Sequence, residues 1–299
     1  MLIFLYAIIP VLAWGTWLAP SQNIRFPSQQ VKTLYVAMAN ILLSSLVFAI
    51  QGPLAWKQLN INNFSLVFAG GLIWSLSGLC AFTATAKIGQ ARAFGIWAPL
   101  NIITSMLWGA FLFNEFLQIG PSTMLLLAGS LVVIIAGVLM IIFAKGMETG
   151  DKQGRQDFYI GLLGASGAGV LWGSYFIPIR YSGISMWVGT FPMALGILAG
   201  SLLLTWLARS PIRLQETGAT GRAFATGVIW TIGNFGMLLL VGALGAGRGF
   251  TIAQLSVVVN ALVGIFILKD PTPRSRAATL TLLGCVLAML GGIILGNLK

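Results

Sequence analysis

Residues Trp14–Pro20 read WGTWLAP, and Trp172–Pro178 read WGSYFIP, the same phrase 158 positions further on. In each copy a Gly follows a Trp, and a Pro closes the phrase. Two more phrases return in the same order. Gly71–Trp74 (GLIW) recurs as Gly227–Trp230 (GVIW), and Gly89–Phe94 (GQARAF) recurs as Gly245–Phe250 (GAGRGF), each at an offset of 156. One such match is chance material; three in register predict an internal duplication.

The copies lie in apolar surroundings. The chain of 299 residues is 58% hydrophobic and 8% charged, against about a quarter charged in a soluble domain. Its apolar residues fall in blocks of roughly 20, enough for a helix to cross the hydrocarbon core of a bilayer. Polar breaks such as Gln51-Gly-Pro53, Ile119-Gly-Pro121, Arg209-Ser-Pro211 and Lys269-Asp-Pro-Thr-Pro273 separate ten candidate spans. These run over 2–20, 33–50, 64–85, 93–112, 121–144, 158–177, 185–208, 223–243, 250–268 and 277–297. The expected fold is an all-α integral membrane protein with ten transmembrane helices. A first repeat covers 1–145, a cytoplasmic linker 146–157 and a second repeat 158–299. Five crossings per repeat is an odd number, so the two five-helix repeats must be inverted relative to one another. That arrangement predicts a secondary transporter working around one central site.

Charge sets the expected orientation. Of the 17 Lys and Arg residues, 13 fall in loops on one side of this scheme, which is then cytoplasmic, with both termini outside. The net charge of +11 therefore reads as membrane topology rather than nucleic-acid binding. The first segment starts without a basic n-region and reads as a retained helix. Cys80 and Cys285 lie within apolar spans, where packing is the expected role. No nucleophile–base pair, metal-ligand cluster or phosphate loop is present, so neither an enzyme nor a cofactor or metal is expected.

The spans carry amides, hydroxyls and indoles rather than charge, which favours a neutral cargo over a phosphorylated one. The candidate substrate-binding residues are Asn40, Trp74, Asn101, Ser105, Trp172, Tyr175, Trp230, Asn234, Gln254 and Asn260. Aromatic faces suit the C–H side of a sugar, and amides suit its hydroxyl rim. Asn101/Ser105 and Trp230/Asn234 are each spaced by one helical turn and predict two facing walls. The plainer alternatives stand beside this reading. A membrane Ser or Thr often bonds the preceding turn, Asn and Gln also join helices, and Trp56, Trp206 and Trp17 fit interface anchors. Glu115, at the outer end of the fourth span, is the candidate proton-coupling acid. Capping a helix is its alternative role, as it is for Asp270. The nearly continuous apolar runs at 121–144 and 277–296 predict scaffold or the face of a homodimer. Glycine pairs Gly169/Gly173, Gly196/Gly200 and Gly292/Gly296 predict close helix packing.

Ten helices in two inverted sets resemble the drug/metabolite transporter superfamily. Several motifs resemble the bacterial glucose/ribose porter group: Gly71–Gly78 (GLIWSLSG), Ile88-Gly89, Pro99 and Phe113-Asn-Glu115, then Gly227–Phe235 (GVIWTIGNF), Gly245 and Ser256–Val259 (SVVV), with the opening Ala7–Gly15 (AIIPVLAWG). Around Pro99 that group carries small and hydroxyl residues with a Gln, where this chain has WAPLNIITS. The resemblance implies a sugar carrier of the bacterial inner membrane, proton-coupled as in the related rhamnose carrier. An exporter of amino acids or other small metabolites, also found in the superfamily, is the alternative.

Overall fold

The computed structural model describes residues 2–115, 120–144 and 152–297. Among them the fold is all-helical, without a strand: α1 (Leu2–Thr16), α2 (Gln29–Ile50), α3 (Pro53–Gln58), α4 (Ile61–Ile88), α5 (Gln90–Phe111), α6 (Pro121–Phe143), α7 (Lys152–Trp172), α8 (Ile177–Ser182), α9 (Met186–Leu207), α10 (Ala219–Leu244), α11 (Ala246–Ala253), α12 (Ser256–Leu262) and α13 (Arg276–Asn297). Nine helical segments among the described residues are long and apolar enough to cross a membrane. The chain is thus a multi-pass membrane protein. The expected first span is instead a 15-residue helix, α1, with Pro10 inside it, followed by a 3-10 turn at Ala19–Ser21.

Several boundaries differ from the sequence reading for local reasons. Ser28 caps α2 by accepting from the Val31 amide, so the helix starts at Gln29, ahead of the expected span over 33–50, and takes in Lys32. Asn60 and Asn63 form a capping box that starts α4 at Ile61. The expected span over 250–268 corresponds to one candidate membrane segment, Ala246–Ile267, which is kinked: α11 ends at Ala253, α12 begins at Ser256, and a π-helical turn follows at Val263–Ile267. The span expected over 158–177 falls within the candidate membrane segment Gly154–Ser182, in which α7 ends at Trp172 and a turn leads into α8. Residues 146–151 of the expected linker lie outside the described residues, and the chain is helical from Lys152 onward.

Two joints have an unusual build. A single residue, Gly89, separates α4 from α5, and Gly245 alone separates α10 from α11. Their φ,ψ pairs, 81°,159° and 95°,168°, fall in a region open essentially to glycine alone. A carboxylate lies against each: Asp270 beside Gly89 and Glu115 beside Gly245.

The helices interlock rather than forming two separate bundles. α4 packs on α7 and α9, and α10 packs on α1 and α2. α5 meets α7 and α11, α12 meets α1, α2 meets α9, and α6 pairs with α13. Contact at α4–α9 is backbone to backbone, since a methyl group on Gly71 would strike the Met193 carbonyl and Gly196. Without water to exclude, such close van der Waals contact is what drives helix association in lipid. Gly196 and Gly200 face α4, while Gly169 and Gly173 face Leu100 and Thr104 of α5, so these two predicted pairs do serve as packing surfaces. α6 and α13 leave Leu125, Val132, Phe143, Leu283 and Leu290 exposed, an apolar surface suited to hydrocarbon.

Connections sort into two sets by contact. On one side Arg222 donates to the Pro20 carbonyl, Lys87 pairs with Asp157 at 2.7 Å, and Asp270 meets Gly89. On the other, Glu115 pairs with Arg180 and accepts from Ala246, and Ser185 donates to Gln58.

Candidate functional site

An aromatic cavity lies where α1, α4, α5, α7, α10 and α11 converge. It is lined by Trp14, Trp17, Trp74, Phe94, Trp97, Asn101, Trp172, Tyr175, Trp230, Phe250 and Gln254. About 20 Å3 of it admits the centre of a water molecule. That is room for roughly one water; any larger solute requires the walls to part.

The rings form a connected wall. Trp74 and Trp230 lie 4.5 Å apart between centroids, Trp97 and Trp172 5.4 Å, and Trp74 and Trp172 5.9 Å. Local chain geometry puts them there. The end of α7 at Trp172 turns Tyr175 inward, and the break between α11 and α12 leaves Gln254 on the cavity wall. Tyr175 donates from its hydroxyl to Asn234 Oδ1 at 2.6 Å. Trp14 donates from Nε1 to the Trp230 carbonyl at 3.2 Å. The indole N–H groups of Trp74 and Trp172 and Oδ1 of Asn101 are buried, with no hydrogen-bond partner among the described residues. A buried polar group left in that state is costly. Residues that line the cavity thus leave two donors and one acceptor unpaired among the described residues. The lining residues carry no formal charge.

Six of the sequence-predicted site residues line this cavity: Trp74, Asn101, Trp172, Tyr175, Trp230 and Gln254. Asn234 stands one layer behind, holding Tyr175. The other three are placed elsewhere. Asn40 donates to Thr231 Oγ1 and joins α2 to α10, and Asn260 donates to the Gly15 carbonyl and joins α12 to α1. Ser105 returns its proton to the Ile102 carbonyl within its own helix. The two facing walls expected from Asn101/Ser105 and Trp230/Asn234 are therefore each half present.

Five lining residues were not predicted: Trp14, Trp17, Phe94, Trp97 and Phe250. Trp17, read as an interface anchor, is 2% exposed, whereas Trp56 and Trp206 are 61% and 73% exposed. The signal that finds four of the five is the repetition itself. Eight of the eleven lining residues pair at the offsets of the repeated phrases: Trp14 with Trp172, Trp17 with Tyr175, Trp74 with Trp230 and Phe94 with Phe250.

Glu115 lies away from the cavity. Oε1 pairs with Arg180 at 2.7 Å and accepts from the Ala246 amide at 2.7 Å, while Oε2 accepts from Gly247 at 3.1 Å. The carboxylate thus sits on the positive end of α11. Arg180 also donates to the Val241 carbonyl and stacks over Phe113. One acid therefore ties the end of α5 to α8 and α11. Among the described residues no group of three or more His, Cys, Asp or Glu side chains is placed to hold a metal ion.

The sequence model of a family described as sugar transport protein matches residues 5–298. A protein of Enterococcus faecalis with the provisional name sugar uptake protein is 26% identical over 99% of both chains. A Listeria monocytogenes protein of the same provisional name is 27% identical over 98% of both chains. The glucose uptake protein GlcU of Bacillus subtilis is 24% identical over 99% of this chain and 98% of its own. A solved crystal structure superposes with a TM-score of 0.63 at 17% identity, covering 98% of this chain and 95% of that one; it supports the fold alone.

Proposed function

The chain belongs to the sugar transport protein family, and on that premise we propose that it carries a monosaccharide across the cytoplasmic membrane of a bacterium by alternating access. The observation that carries this reading is the neutral aromatic cavity with unpartnered N–H and C=O groups on its wall. Ring faces meet the C–H side of a sugar, while indole and amide groups meet its hydroxyls. The provisional names of the relatives, and that of GlcU, point to the same class.

The proposed architecture is ten crossings in two inverted halves, 1–145 and 158–299, joined by a cytoplasmic linker over 146–157. Two observations support it. Exchanging each helix for its counterpart in the other half turns the α4–α7 contact into α10–α1, α4–α9 into α10–α2, and α5–α7 into the α11 and α12 contacts with α1. The connections also sort into two contact sets, as ten crossings require. The set with most of the Lys and Arg residues is assigned to the cytoplasm, which leaves both termini outside. The α6–α13 surface is then the face for lipid or for a second copy of the chain.

Proton coupling is the second part of the proposal. Glu115 bridges three elements at the outer end, so its protonation would release Arg180 and free α8 from α11. Coupling and opening would then be one event.

The test is counterflow in proteoliposomes preloaded with D-glucose, with ribose, rhamnose and mixed amino acids as competitors. Saturable entry of label, blocked by a sugar and lost in Trp230→Ala, is the expected result. Competition by amino acids without competition by any sugar would overturn the sugar reading in favour of a metabolite exporter.

A further inference from the structure

A second pocket lies beneath Trp17 and is polar where the first is aromatic. Ser21, Gln22, Phe26, Gln29, Lys32 and Thr85 line it, and about 120 Å3 of it admits the centres of water molecules. That is several times the roughly 10–15 Å3 that one water needs.

Lys32 is its distinctive feature, at 7% exposure. The ammonium lies 4.7 Å from the centroid of Phe82 and 5.6 Å from that of Phe26. Among the described residues the ion pairs are Lys87–Asp157 and Arg180–Glu115, so no carboxylate there offsets Lys32. Removing an ammonium from water is costly, and the two ring faces return only part of that cost. The rings leave the charge under-compensated, and no lining residue is acidic.

Three further features set the sign and chemistry of what would fit. The pocket includes Gln29, the first residue of the 22-residue helix α2, whose positive end adds to the ammonium. Gln22 and Gln29 bring amide donors. The hydroxyls of Ser21 and Thr85 donate to the carbonyls of Leu18 and Phe82, so toward the pocket they offer lone pairs. A ligand that suits all of these carries negative charge and also a proton to donate.

We propose that this pocket binds a protonated phosphate group, hydrogen phosphate or a phosphate monoester. Its oxygens meet Lys32, the amides and the α2 N-terminus, and its O–H donates to Ser21 or Thr85. Bound phosphate ties the Ala19–Ser21 turn, the start of α2 and the end of α4 together. Phe82 stacks on Trp17 at 5.6 Å, so this clamp lies one ring below the cavity. The site stands whether that cavity takes a sugar or another solute.

The experiment is thermal unfolding of the full chain in nanodiscs of phosphatidylcholine, titrated with inorganic phosphate or sulfate at constant ionic strength. A parallel arm replaces part of the lipid with phosphatidic acid. A saturable rise in midpoint with phosphate and not with sulfate is expected. Half-saturation should weaken at least about tenfold in Gln29→Glu, which gives Lys32 an internal counter-charge and so favours folding. Lys32→Met is the companion variant. A rise only with phosphatidic acid, lost in the same variants, supports the site with a lipid headgroup as the source. Equal response to sulfate, an undiminished response in Gln29→Glu, or no rise in either arm overturns the proposal.

Discussion

Trp74 and Trp230 pack ring against ring, 4.5 Å between centroids with 59° between planes, at the same position of the two GxIW phrases. Trp74 is fully buried and Trp230 3% exposed. The pair joins α4 to α10 and divides the cavity between the two halves of the sequence.

Trp74→Phe keeps an aromatic face there and removes an indole N–H that has no partner among the described residues. Losing that N–H as a donor to the solute is worth about one hydrogen bond, roughly 1 kcal/mol or about fivefold in half-saturation. Counterflow titration checks this, with folded yield unchanged. Trp74→Ala also leaves a void and costs about 3–5 kcal/mol of stability.

Asn101 and Asn40 separate cavity from scaffold. Asn101→Ala raises the half-saturation of counterflow and leaves the unfolding midpoint near that of the parent. Asn40→Ala does the reverse: Thr231 Oγ1 loses the amide that donates to it, about 0.6–1.7 kcal/mol for a hydrogen bond between membrane helices, and half-saturation stays put.

Glu115→Gln keeps an oxygen for the Ala246 amide and removes the charge facing Arg180. Stability falls by about 1–3 kcal/mol. In vesicles with an imposed pH gradient, accumulation collapses to the level set by counterflow alone. Accumulation that persists would leave Glu115 as a structural tie and assign no proton to it.

Gly71→Ala and Gly221→Ala predict opposite signs. A methyl group on Gly71 meets the Met193 backbone across the α4–α9 contact, whereas nothing lies within 4 Å of one on Gly221. The first forces two helices apart and lowers the unfolding midpoint. The second replaces an exposed helical glycine and raises stability by about 0.5–1 kcal/mol.

The outline of the fold was legible because apolar blocks of membrane length and their glycine–proline breaks leave little choice of structure. The kinks were less so. Nothing in the run Phe250–Leu268 marks a break at Gln254 by composition alone, since Gln is a good helix former. Lys32 and Arg92 were assigned to loops on charge, yet both are buried in helices, where Phe82 and Phe158 cover them. For the site, polarity was the weaker guide. Asn40 and Asn260 are polar because helices must be joined, and Ser105 bonds within its own turn, whereas Trp14, Trp17, Phe94 and Phe250 are held in register by the repeated phrases.

The one-residue joints at Gly89 and Gly245 bear on how this protein can be engineered. A helix turns about 100° per residue, so a single added or deleted codon at either joint would rotate everything that follows away from its neighbours. Epitope tags and circular-permutation breaks belong instead beside Gly183 and Gly218, where nothing lies within 4 Å of an added Cβ, with the two glycines themselves kept because their φ is positive.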